Sequence, residues 1–176
     1  AYAVSVPPDR KPGTVTVPGA GAPDPRKDFL VVGKTPIPDR AAFIAAVNAA
    51  VARQPAGQRD AFVFVHGFNT NFAEGLFRQA QMRKDFDTRG VSVQYSWASA
   101  GSLRAYATDR ETTLVARDDL EDLIALLTRT NVSRIVLLGH SMGAFIVMET
   151  VRQIAIRDGR AGFRKLQAVV LMAPDI

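Results

Sequence analysis

Three short stretches, Ala61-Phe62-Val63-Phe64-Val65, Ile135-Val136-Leu137-Leu138 and Ala168-Val169-Val170-Leu171-Met172, are apolar at every position. A strand with one wet face alternates polar and apolar residues; a run without polar positions needs cover on both faces. This limits the fold more than any other feature, because such strands belong in a sheet sandwiched between helices. The intervening segments have helical length and period. Asp39 is placed to cap a helix predicted over 39–53, with Phe43, Val47 and Val51 on one face and Pro55 closing it. Asn69 or Asn71 opens a second helix that turns Phe72, Leu76, Ala80 and Phe86 inward and ends at Gly90. A strand follows over 91–97. A helix over roughly 109–130 then points Leu120, Leu123, Ile124 and Leu127 inward, and Arg117, Asp118, Glu121 and Asp122 outward. The last helix spans about 143–157, before Asp158-Gly159. Strand and helix thus alternate four times at crossover length, which predicts an α/β chain with a mainly parallel sheet and helices on both faces.

Eight of the ten prolines lie within the first 38 residues. Proline lacks the N–H that a helix or central strand needs, so 1–38 is read as edge strands (2–6 and 29–32) and loops, and 39–176 as the alternating core of one domain. A hydrophobic share of 47% with 22% charged residues excludes a disordered, coiled-coil or collagen-like chain. The lack of cysteine excludes disulfides, thiolate chemistry and iron–sulfur or zinc-ribbon sites. With only His66 and His140 present, no metal site is expected. No apolar run approaches the roughly 18 residues of a transmembrane span. The net charge of +5 raises a nucleic-acid hypothesis. Its densest stretches, 78–89 and 152–165, are broken by acids or follow helical spacing, so they are read as solvated helix faces and no nucleic-acid partner is expected. Neither end reads as a natural terminus, and a fragment of a longer chain is the expectation. A cytoplasmic and a periplasmic or envelope location fit equally, and oligomeric state is not legible.

The chemistry concentrates in Gly139-His140-Ser141-Met142-Gly143, between an apolar strand and a helix. A serine hydroxyl is a poor nucleophile unless it is held exposed, near a base and near amide donors. A sharp strand-to-helix turn does this, and the flanking glycines remove side chains that would clash across it. The helix start beyond Ser141 offers free N–H groups to a developing oxyanion. His66-Gly67-Phe68-Asn69 closes the strand 61–65, and ligands of parallel sheets gather at the carboxyl ends of strands. The N–H groups of Phe68 and Met142 are therefore candidate oxyanion donors. His140 is expected to pack beside its turn, and His66 to brace its own loop by bonding to backbone. Trp97, Tyr106 and Phe72 are candidates to wall a substrate pocket, plain core packing being the other reading of each.

These two motifs, in this order, resemble the α/β-hydrolase fold. More narrowly, the chain resembles a bacterial family within that fold catalogued as a domain of unknown function, through Ser5-Val6-Pro7-Pro8, Tyr95-Ser96-Trp97, Tyr106 with Asp109-Arg110, and Ala173-Pro174-Asp175-Ile176. The resemblance implies hydrolysis of a small-molecule carboxylic ester without a cofactor, through a Ser–His–acid triad. Ser141 carries over as the nucleophile, with Met142 and Phe68 as oxyanion donors. The triad histidine of this superfamily follows the last strand, so it is expected beyond Ile176, in an α/β-hydrolase fold lacking its C-terminal strands. Asp175 is a candidate for the triad acid; capping its own loop after Pro174 is its other role. Asp109 and Asp119 read as a helix cap and a solvent-facing charge. Two other classes stay open: a catalytically silent scaffold serving as a binding module, and an envelope-associated structural protein.

Overall fold

Apolar strands that need cover on both faces assemble in the middle of the molecule. In the computed structural model, which describes residues 1–99 and 106–175 with backbone alone over 106–111, four strands form a parallel sheet. In chain order the elements are β1 (Tyr2–Ser5), β2 (Leu30–Lys34), α1 (Arg40–Ala52), β3 (Asp60–Val65), α2 (Phe72–Asp85), β4 (Val91–Tyr95), α3 (Tyr106–Thr128), β5 (Arg134–His140), α4 (Met142–Asp158) and β6 (Leu166–Met172). The parallel sheet has the order β4-β3-β5-β6. The step from β3 to β4 runs one way across the sheet and the next, from β4 to β5, runs back. Right-handed crossovers therefore place α2 on one face and α3 and α4 on the other.

The face under α1, α3 and α4 is the dry one. Ala61, Val63 and Val65 of β3 and Ile135 and Leu137 of β5 are fully buried there, packed with Val51, Leu120, Ile124, Leu127, Ile146 and Val147. On the α2 face, α2 lies against β4 and bonds to the strands rather than only packing on them. Gln79 Nε2 donates to the carbonyls of Phe62 (3.3 Å) and Val93 (2.8 Å).

Local chemistry sets the helix starts. Asp39 accepts from the Ala42 N–H at 2.7 Å. Asn71, not Asn69, opens α2, through a capping box in which Asn71 and Glu74 satisfy each other's backbone N–H groups. Asn69 instead takes a left-handed conformation in the preceding loop (φ 52°).

The strands expected in the Pro-rich segment do form, apart from the main sheet. β1 and β2 pair antiparallel with each other in a separate two-stranded sheet. Several expectations need correction. Glu121, expected outward, is 6% exposed and ion-paired with Arg157, because α4 packs beside α3 and widens the buried arc of that helix. In α2 the buried positions are Gly75, Phe77, Gln79, Gln81 and Met82, while Phe72 and Phe86 are exposed. Asp109 falls inside α3 rather than capping it. Asp119 is exposed, as expected.

Candidate active site

β5 ends at His140 and α4 begins at Met142, so the chain turns from strand to helix within one residue. That residue, Ser141, has φ 51° and ψ −125°. A non-glycine residue in such a region costs about 1–3 kcal/mol and persists only where its surroundings hold it. Here they do. The Ser141 N–H donates to the Met172 carbonyl (3.0 Å), and the Ser141 carbonyl accepts from Ala144 N–H (2.8 Å) and Asp175 N–H (3.3 Å). The end of β6 thus clamps the turn from the side. The Ser141 side chain makes no capping bond to α4 and is half-buried. Met142 is the first residue of α4, so the helix supplies no acceptor for its N–H.

The second loop meets the first in close contact. Val65 lies in register with Gly139, and Gly139 with Leu171, so β3, β5 and β6 end at one edge of the sheet. A Cβ on Gly67 would sit 2.8 Å from Ser141 Cβ and 2.9 Å from the His140 carbonyl oxygen. One on Gly143 would collide with the carbonyl oxygens of Val65 and His66. Both motifs need their glycines because the two loops touch there, and Phe68 is thereby brought beside the serine turn.

His66 holds this loop. It is 1% exposed, and its Nδ1 lies 2.9 Å from the Gly67 carbonyl. Its Nε2 is 3.2 Å from both the Trp97 N–H and Ser96 Oγ. The indole N–H of Trp97 donates to the His66 carbonyl at 2.8 Å, and the two rings stack 5.6 Å apart. Burial is the main cause pushing the His66 imidazole below its ordinary value of 6.5, opposed by the Gly67 carbonyl and the Glu74 carboxylate. Trp97 is 6% exposed and is spent on this brace. Its pairing with His66, about thirty residues away in sequence, left no periodic signal.

The other candidate residues are dispersed. Asp175 reaches the site through its main-chain N–H, and it is exposed. The Tyr106 side chain lies outside the described residues. The Phe72 ring lies tilted against that of Tyr2, 5.2 Å between centroids, and lines a groove of about 730 Å³ beside β4. No residue of the Ser141 turn or of the His66–Phe68 loop lines that groove, so its size does not make it the place for the chemistry. The described residues contain no cluster of three or more potential metal ligands, and no helix long and apolar enough to cross a membrane.

A family model described as alpha/beta hydrolase of unknown function (DUF900) matches residues 40–176, which include both loops and every strand of the parallel sheet. No curated protein and no solved structure matches the chain.

Proposed function

The chain belongs to this alpha/beta hydrolase family, and from that premise we propose that it is a serine hydrolase acting on carboxylic esters through an acyl-enzyme on Ser141. The observation that carries the reading is the strained backbone of Ser141, clamped by Met172, Ala144 and Asp175 while its side chain is left out of the helix cap. Strain retained at one half-buried hydroxyl, beside a helix N-terminus, is what presenting a nucleophile requires.

In this mechanism Ser141 Oγ attacks the ester carbonyl, its proton passes to a general base, and the carbonyl oxygen becomes an oxyanion between the N–H groups of Met142 and Phe68. Collapse of that intermediate expels the alcohol, which takes the proton from the base. Water then cleaves the acyl-enzyme by the same steps. Removing one oxyanion donor typically costs about 2.7–4 kcal/mol of transition-state stabilisation. We assign the base to a histidine outside these 176 residues. His66 is committed to Gly67 and Trp97, and His140, exposed at the end of β5, adjoins Ser141 in the chain, where neighbouring side chains diverge. Asp175 is proposed as the triad acid, and Tyr106 as a pocket wall. Trp97 is proposed to shape the pocket from behind, through the His66 loop.

Labelling by a fluorophosphonate tests this in the protein as its gene encodes it. Ser141 is expected to be labelled, and Ser141→Ala to be unlabelled and inactive on aryl esters. A folded wild-type protein that takes no label would instead indicate a silent scaffold.

A further inference from the structure

The hydrogen bonds around His66 admit one protonation state. The Gly67 carbonyl can only accept, so Nδ1 must carry a proton; the Trp97 N–H can only donate, so Nε2 must be bare. Ser96 Oγ, also at Nε2, completes the shell. The ring is therefore neutral, in the Nδ1–H tautomer. Its Nδ1–H braces its own loop at Gly67, while its Nε2, together with the indole N–H bonded to the His66 carbonyl, fastens the loop after β3 to the loop after β4.

We propose that His66 is the positioning residue of the oxyanion loop, seating Phe68 only while its imidazole is neutral, and that a proton on Nε2 releases the loop. This deepens the reading of Ser141 as a nucleophile and rests on it for its consequence, although the lock itself is a property of the two loops. The added proton faces the Trp97 N–H, donor against donor, inside a site closed to water. Among the described residues, Ser96 Oγ is the neighbour of Nε2 able to turn and accept it. The groups that face His66 are few. Glu74, from the first turn of α2, favours the charged ring, as does the indole face of Trp97. Burial opposes it, and so does the positive end of α4, whose Gly143 abuts the His66 carbonyl. The elbow brings up a second imidazole, His140, whose Nδ1 would lie 3.1 Å from a Cβ placed on Gly67. Burial outweighs the Gly67 carbonyl and the Glu74 carboxylate, so release falls below the ordinary histidine range.

The test uses Trp97, the sole tryptophan of these 176 residues, which stacks on the ring in question. Lowering the pH from 7.5 to 4.5, with far-UV circular dichroism unchanged, is expected to quench and red-shift its emission in one transition with a midpoint below 6.5. His66→Gln keeps an acceptor for the Trp97 N–H and a donor for the Gly67 carbonyl but does not titrate, so its emission should stay flat. Nitrogen-15 shifts of wild-type His66 at neutral pH should report a protonated Nδ1 and a bare Nε2, a readout that needs no variant. Through the same midpoint, the ratio of wild-type to His66→Gln fluorophosphonate labelling rates should fall by about 10²-fold, the loss typical of one oxyanion donor. A flat wild-type titration, a transition that persists in His66→Gln, or the Nε2–H tautomer would each overturn the lock. An emission transition abolished in His66→Gln, without labelling at any pH, would leave the lock standing and sink the serine reading. Labelling with flat emission would do the reverse.

Discussion

One sheet presents two faces that are held in different ways. Under α1, α3 and α4 the contacts are apolar, and Ala61, Val63, Val65, Ile135 and Leu137 have no exposed surface. Under α2, where Phe64, Phe77 and Met82 are also buried, polar bonds join the packing. Gln79 bonds strand carbonyls, and Gln94 Nε2 donates to the Phe72 carbonyl at 3.1 Å. Asp85, at the end of α2, gathers Arg10, the Gly13 N–H (2.7 Å) and Gln81, which ties the Pro-rich segment to the helix. Farther along the same face, Ala168 and Val170 of β6 are exposed, the latter by 42%. Apolar burial is non-directional and tolerates many arrangements, whereas hydrogen bonds to named atoms fix a position and respond to pH. The dry face therefore supplies most of the stability, and the α2 face the placement of the N-terminal segment.

Neighbouring residues on β5 put the contrast to its hardest test. Leu137→Ala empties a fully buried site and should cost about 2–5 kcal/mol in urea unfolding, while Leu138→Ala, half-buried on the α2 face, should cost less than half as much. Equal losses would mean the faces are energetically alike.

Next in size is Asp85. Arg10 holds its carboxyl well below the usual aspartate range, helped by the Gly13 N–H and Gln81. A depressed folded-state value contributes stability that is complete above the unfolded value of about 3.9 and is lost as pH falls below it. The N-terminal segment should thus become protease-sensitive as pH drops below about 4, before the dry face melts. Asp85→Ala should release the segment at neutral pH, at a cost of about 1–3 kcal/mol.

Ser141→Gly has the opposite sign. Glycine accepts φ 51° without strain, so this variant should melt higher, by up to about 1 kcal/mol, while losing all fluorophosphonate labelling. The smallest effect belongs to Val170→Thr on the exposed strip, expected within about 0.5 kcal/mol of wild type and visible mainly as weaker binding of a hydrophobic dye.

Much of this was legible in residue order. The three wholly apolar runs became β3, β5 and β6, and the serine turn and the His66 loop fall at the strand ends where their glycines implied. The misreadings share a cause. Glu121 looked outward because helical period was judged against one partner, the sheet, when α3 has two. Phe72 and Phe86 of α2 looked inward because apolar character was taken for burial, yet both are exposed and the strands there are bridged by Gln79.

Periodicity and residue type are local properties, so they were enough to set the elements, their parallel arrangement and the loop bearing Ser141. Which groups meet across the chain is not local. Arg10 finds Asp85, Trp97 finds His66, and the Met172 carbonyl finds the Ser141 N–H only after the crossovers have laid the strands side by side. Each of those partners was ordinary in sequence, because a hydrogen bond depends on distance and direction between two groups, and neither exists until the chain has folded.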